Sequence, residues 1–140
     1  MIYVDTNVFI YAIENHPKYG RHCKKILLDI QNERLKACAS ILVLVEIINV
    51  LIRINRILKK EKKKTLDLRM NVDAILSLPL TWFDLNFLLI RKASEYSYDT
   101  TGIDYLHVAT MELQSVAEVI SADRELDKIK FLKRIDPIEY

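Results

Sequence analysis

The sequence predicts an α/β fold: an open, mostly parallel sheet of four or five strands with helices on both faces. Short strand-like runs alternate with helical patterns along the whole chain, as a parallel sheet joined by crossover helices requires. The 140 residues are 51% hydrophobic, which suits one domain with a substantial core and is too apolar for a disordered chain. No internal repeat and no Gly- or Pro-rich linker divides it, so 1–140 reads as a single domain.

The elements follow in order. Ile2-Tyr3-Val4 is a strand ending in Asp5-Thr6-Asn7, and the apolar pattern of 8–13 then opens a helix. Pro17 closes it, and a second helix over about 19–32 carries Ile26, Leu27 and Ile30 on its apolar face. Residues 36–39 form a short strand, and Ser40 is placed as the N-cap of a long helix reaching Leu58. Glu46, Asn49, Arg53, Arg56 and Lys60 recur there at alternating steps of three and four, making one polar stripe. Leu44, Ile47, Ile48, Leu51 and Ile54 cover the other faces, so the helix is expected to be mostly buried. Next come a helix over 65–78 ended by Pro79, a strand over 80–83 and a helix over 85–98. Thr101 opens a further helix to about Gln114, 118–121 is a strand, a short helix follows Asp123, and 133–135 closes the sheet.

Composition excludes several functions. Gly20 and Gly102 are the two glycines, so neither a dinucleotide fingerprint nor a phosphate-binding P-loop can be written. The longest apolar stretch, 37–52, is broken by Ser40, Glu46 and Asn49 and falls short of the roughly 20 apolar residues of a membrane span. Nothing basic precedes the first apolar run, so no secretory signal is read, and a soluble cytoplasmic chain is expected. Cys23 and Cys38 form no CxxC pair, and with His16, His22 and His107 they match no common zinc spacing. The net charge of +2 is small but uneven: Arg53 to Lys64 carries a local +6, which leaves −4 for the remainder. Such a segment is either a phosphate-steering patch or a solvated helix end.

Four acids share one structural context. Asp5 follows the first strand, Glu46 lies one to two turns into the long helix, Asp104 is in the first turn of its helix, and Asp123 follows a late strand. In an open parallel sheet the carboxyl ends of the strands line one edge, where active sites form. Acids gathered there repel one another, and a hard divalent cation such as Mg²⁺ or Mn²⁺ resolves the conflict. Each acid also has a plainer reading. Asp5 and Asp123 are good N-caps, and Asp104 stands where a capping box with Thr101 would put it. Glu46, set among Val45, Ile47 and Ile48, is costly to bury without a partner. His107, one turn beyond Asp104, reads first as a satisfied core histidine. Asn7 and Ser121 read as groups that orient the acids, and Asp127 as a solvated or paired acid close enough to extend the site.

Asp5-Thr6-Asn7 after an N-terminal strand, Glu46 early in the third helix, Asp104-Tyr105-Leu106-His107-Val108-Ala109 and the run from Ser121 to Asp127 together resemble the PIN-domain nucleases. Among these the chain is most similar to the VapC-type toxins of prokaryotic type II toxin–antitoxin systems, and the resemblance spans its whole length. It implies a three-layer α/β/α fold and metal-dependent cleavage of RNA. Carried over by position, it implies Asp5, Glu46, Asp104 and Asp123 as metal-binding catalytic acids, with Thr6, Asn7, Ser121 and the more variable Asp127 in support. It further implies a homodimer inhibited by a small antitoxin. The basic segment around 56–64 is more charged than a minimal toxin of this kind needs, and Arg53, Arg56 and Lys60 are the residues read as RNA-binding. Two other readings stay open on the sequence: a PIN-like module that binds RNA or protein without cutting, and a housekeeping ribonuclease without an antitoxin. A phosphohydrolase using an aspartyl nucleophile would want a second Asp where Asn7 stands.

Overall fold

The computed structural model describes residues 1–140, the side chain of Ile103 excepted. Five strands form one sheet: β1 (Ile2–Val4), β2 (Ala37–Ser40), β3 (Thr81–Phe83), β4 (Glu118–Ile120) and β5 (Lys133–Ile135). Their order is β3-β2-β1-β4-β5, and every neighbouring pair is parallel. The chain builds outward from β1 through β2 to β3, then returns to place β4 on the other side of β1. The order reverses between β1 and β4, so a crevice opens there at the carboxyl ends of those two strands.

Six helices accompany the sheet: α1 (Thr6–Ile13), α2 (Gly20–Gln31), α3 (Leu42–Lys60), α4 (Leu68–Leu76), α5 (Phe87–Ala93) and α6 (Gly102–Leu113). The central strands are buried on both faces, and their side chains alternate between two cores. Ile2, Val4, Ala37, Ala39 and Ile120 point into one core with Phe9 of α1, Ile26 of α2, Ile47 of α3 and Ile75 of α4. Tyr3, Cys38 and Val119 point the opposite way, against Val108 and Met111 of α6 and Leu126 of the 3₁₀ turn Arg124–Lys128. The expected layers, helices on either side of a parallel sheet, are therefore present.

Several expectations at element ends are corrected. Ser40 is the last residue of β2, not a helix N-cap; the cap position of α3 is Ile41, although Ser40 Oγ still accepts from the Leu42 N–H at 3.1 Å. The helix expected from 65 begins at Leu68, because Asp67 caps it through the Met70 N–H and Asn55 binds both the N–H and the C=O of Leu66, at 2.8 and 2.9 Å. The helix expected to reach 98 stops at Ala93. The following Ser94-Glu95-Tyr96-Ser97-Tyr98 is poor in helix formers, and its tyrosines pack against the layer of α6 instead. Nor is α3 mostly buried: Leu42, Val43, Ile47 and Leu51 are, whereas Val45, Ile52 and Ile57 are exposed.

Candidate active site

The crevice between β1 and β4 is where the sequence-predicted site assembles. Asp5 leaves β1 with extended backbone and caps α1, its Oδ1 accepting from the Thr6 N–H at 2.7 Å. Its Oδ2 accepts from Ser121 Oγ at 2.6 Å and from Asn7 Nδ2 at 3.1 Å. Ser121 directly follows β4 and is buried. Asn7 also donates to Ser121 Oγ at 3.0 Å and accepts from the Ala122 N–H at 3.2 Å. These bonds tie the end of β1 to the end of β4 and fix the Asp5 carboxylate across the gap. Asn7 and Ser121 therefore orient an acid, as their sequence reading anticipates.

Glu46 reaches the crevice from the second turn of α3. Its Oε1 accepts from Thr6 Oγ1 at 3.0 Å and from His107 Nε2. The imidazole is 4% exposed, and its Nδ1 lies 2.6 Å from the Tyr3 hydroxyl, which in turn accepts from the Ser40 N–H at 3.1 Å. One arrangement gives every proton an acceptor: Ser40 N–H to Tyr3, Tyr3 O–H to Nδ1, and Nε2–H to Glu46. Burial opposes charging of His107, but the bond to Glu46 and the negative field of Asp5 and Asp104 outweigh it and raise its pKa. Burial is the main reason that the Tyr3 phenol is pushed well above its ordinary value, so it stays protonated.

The other two acids keep their capping bonds while facing the same space. Asp104 Oδ2 accepts from the Thr101 N–H at 3.3 Å and from Thr101 Oγ1 at 3.1 Å, while Thr101 Oγ1 accepts from the Asp104 N–H, a full capping box. Asp123 Oδ1 accepts from the Glu125 N–H at 3.0 Å and caps the 3₁₀ turn. Asp5, Thr6, Asn7, Glu46, Asp104 and Asp123 line a single cavity of about 230 Å³, with His107 at its wall. For Asp5, Asp104 and Asp123, then, the capping role and the place in the cavity occur together.

Among the described residues no three His, Cys, Asp or Glu side chains close to metal-ligand spacing. Each carboxylate is turned toward donors of its own element or of a neighbour, as like charges facing one cavity prefer. Those bonds use one oxygen of Glu46, Asp104 and Asp123 each, which leaves Glu46 Oε2, Asp104 Oδ1 and Asp123 Oδ2 without a partner among the described bonds. An all-oxygen donor set with spare carboxylate oxygens fits a hard divalent cation and not a thiolate-seeking one.

Two outcomes differ from the sequence reading. Asp127 is not brought to the cavity lining: Arg134 engages it through two bonds, Nε to Oδ1 at 2.9 Å and Nη2 to Oδ2 at 3.2 Å. That bond lowers the Asp127 pKa. Asp127 is thus a paired acid, and its partner Arg134 comes from the last strand, β5. His107 is the buried, satisfied histidine that the sequence suggests and also reaches the site through Glu46, whereas Tyr3 was not read as a site residue. The only sequence signal was a histidine one turn after Asp104, with a polar hydroxyl in an otherwise apolar first strand. Arg53, Arg56 and Lys60 are exposed along α3 and lie outside the cavity lining, with Arg53 one turn beyond the lining residue Val50. Among the described residues no helix is long and apolar enough to cross a membrane.

The PIN domain family model matches residues 2–132. Among solved structures the chain is similar to a toxin–antitoxin complex from Klebsiella pneumoniae, at 16% identity with a TM-score of 0.62, covering 100% of each chain. It is also similar to VapBC2 from Rickettsia felis bound to a DNA fragment from their promoter, at 20% identity and a TM-score of 0.66, covering 96% of this chain and 98% of that one. At such identities these two likenesses speak to the fold. No curated protein matches the chain.

Proposed function

This chain belongs to the PIN domain family, and on that premise we propose that it is a Mg²⁺- or Mn²⁺-dependent endoribonuclease, a VapC-like toxin of a toxin–antitoxin pair. The observation that carries the reading is one cavity, at the sheet's reversal point, lined by Asp5, Glu46, Asp104 and Asp123. Residues 1–140 act as one nuclease domain. The chemistry that Mg²⁺ or Mn²⁺ supplies at such a site is polarisation of the phosphodiester and acidification of the attacking water. Asp5 and Glu46, with Asp104 and Asp123, would hold the ion. Thr6, Asn7 and Ser121 keep the Asp5 and Glu46 carboxylates in place. Asp104 or Asp123, each with an unshared carboxylate oxygen, takes the water's proton. Arg53, Arg56 and Lys60 hold flanking phosphates through a salt-sensitive attraction.

An antitoxin partner is supported by the fold's likeness to chains solved in toxin–antitoxin complexes. A homodimer is supported by the exposed large apolar side chains of α5, Phe87, Leu88 and Ile90. An RNA substrate sets its work in the cytoplasm. Incubation with total RNA tests the reading. Cleavage is expected with Mg²⁺, none with EDTA, and none by Asp5→Asn at an unchanged circular dichroism spectrum. Cleavage that survives both EDTA and Asp5→Asn would refute it, and metal-independent RNA binding without cleavage would favour the non-catalytic module.

A further inference from the structure

The corner joining α1 to α2 is strongly basic. Residues 16–25 include Lys18, Arg21, Lys24 and Lys25 and no acid, and all four cations are exposed. Asn15, His16, Pro17, Gly20, Arg21 and Lys24 line an open cavity of about 360 Å³ there.

That cavity adjoins the acidic one through an aromatic wall. Tyr11 lines the acidic cavity, and its ring centroid is 4.4 Å from that of His16, which lines the basic one. Tyr19 stacks on Tyr11 at 5.2 Å with 16° between the planes, and Lys18 Nζ sits 5.1 Å from the Tyr19 centroid. The corner is built to be rigid. His16 Nδ1 accepts from the N–H groups of Lys18 and Tyr19, at 3.1 and 3.2 Å, which leaves Nε2 as the ring's donor. Gly20 packs so closely that a Cβ would stand 3.0 Å from the Asn15 carbonyl carbon and 3.2 Å from the Tyr11 oxygen.

Direction matters as well as charge. Thr6 meets Glu46, while Ile10 and Tyr11 share the cavity lining with Val50, so α1 and α3 leave the acids side by side, running the same way. Beyond the lining, α3 carries Arg53 and α1 leads into the basic corner. A polyanion approaching four carboxylates is repelled, and cations at the mouth of the crevice offset that repulsion.

We propose that the α1–α2 corner is a nucleic-acid subsite, in which Arg21 and Lys24 hold a phosphate, and Tyr11 and His16 face the base, of a nucleotide adjoining the one at the acids. It rests on the endoribonuclease reading above and adds the path of single-stranded RNA away from the acids. Base contact with aromatic rings is tolerant of sequence, and phosphate contact is salt-dependent.

Fluorescence anisotropy of a short labelled single-stranded RNA, with EDTA present so that the strand stays whole, tests this. Arg21→Glu/Lys24→Glu is compared with Lys130→Glu/Lys133→Glu, which makes the same charge change in and just before the edge strand β5, outside the lining of both cavities, both checked for fold by circular dichroism. Loss of two phosphate contacts lowers the slope of log affinity against log salt by about 1.4, and weakens binding about tenfold at low salt. The distal pair changes the slope little. Equal effects of the two pairs, or none from either, would overturn the subsite. If wild type still cuts RNA with Mg²⁺ in that case, the subsite falls alone; if it neither binds nor cuts, the nuclease reading falls with it.

Discussion

Tyr3 spends its hydroxyl on two partners from different elements, the Ser40 N–H and the His107 ring. Tyr3→Phe removes both bonds at no change in shape. It leaves the buried Ser40 N–H unpaired, which costs about 1–3 kcal/mol of stability in urea unfolding. It also frees His107 to rotate away from Glu46, and groups that orient metal-binding carboxylates typically carry about 10- to 100-fold in activity. The expected result is therefore a fall in RNA cleavage larger than the loss of stability explains, measured where the variant is fully folded. Wild-type cleavage by Tyr3→Phe would remove the relay from the account. The cysteines behave differently. Cys23 and Cys38 are unpaired and buried, and burial pushes their pKa values up to about 12 and about 11. The thiolate is the reactive form, so near neutral pH neither should be alkylated in the native protein and both should be once it is unfolded. Labelling followed by mass spectrometry reads this directly.

At the scale of elements, α3 shows why some features were legible in the sequence and others were not. Its polar stripe was readable from spacing, and Glu46 does face the crevice. Its burial was not, because Val45, Ile52 and Ile57 look as apolar in sequence as Ile47 and Leu51, and the packing of α1, α4 and β2 decides between them. Truncation separates the two sets. Leu51→Ala, fully buried, should cost about 2–5 kcal/mol in urea unfolding, while Ile57→Ala, at 53% exposure, should stay within about 0.5 kcal/mol. Similar costs at both positions would mean that the exposed face is covered in solution. The helix ends failed for a local reason: Asn55 binds Leu66 from another element and holds it out of α4, and no neighbouring residue announces that. In the site itself, Asp5, Asn7 and Ser121 were legible because strand ends and caps are local signals. The bonds of His107 were not, because its partners Tyr3 and Glu46 are 104 and 61 residues away.

For the molecule as a whole, the strand order does the organising. Placing β4 beside β1 opens one crevice at the strands' carboxyl ends, and the helices after β1 and β2, together with α6 and the turn after β4, each deliver one acid to it. Such an arrangement is electrostatically poor alone and favourable with a compensating cation. Calorimetric titration with Mn²⁺ therefore tests the central claim with no assumption about the RNA. Wild type should bind saturably, and Asp5→Asn and Asp123→Asn should each weaken that binding by more than about tenfold while keeping the wild-type circular dichroism spectrum. Identical isotherms for wild type and both variants would contradict it.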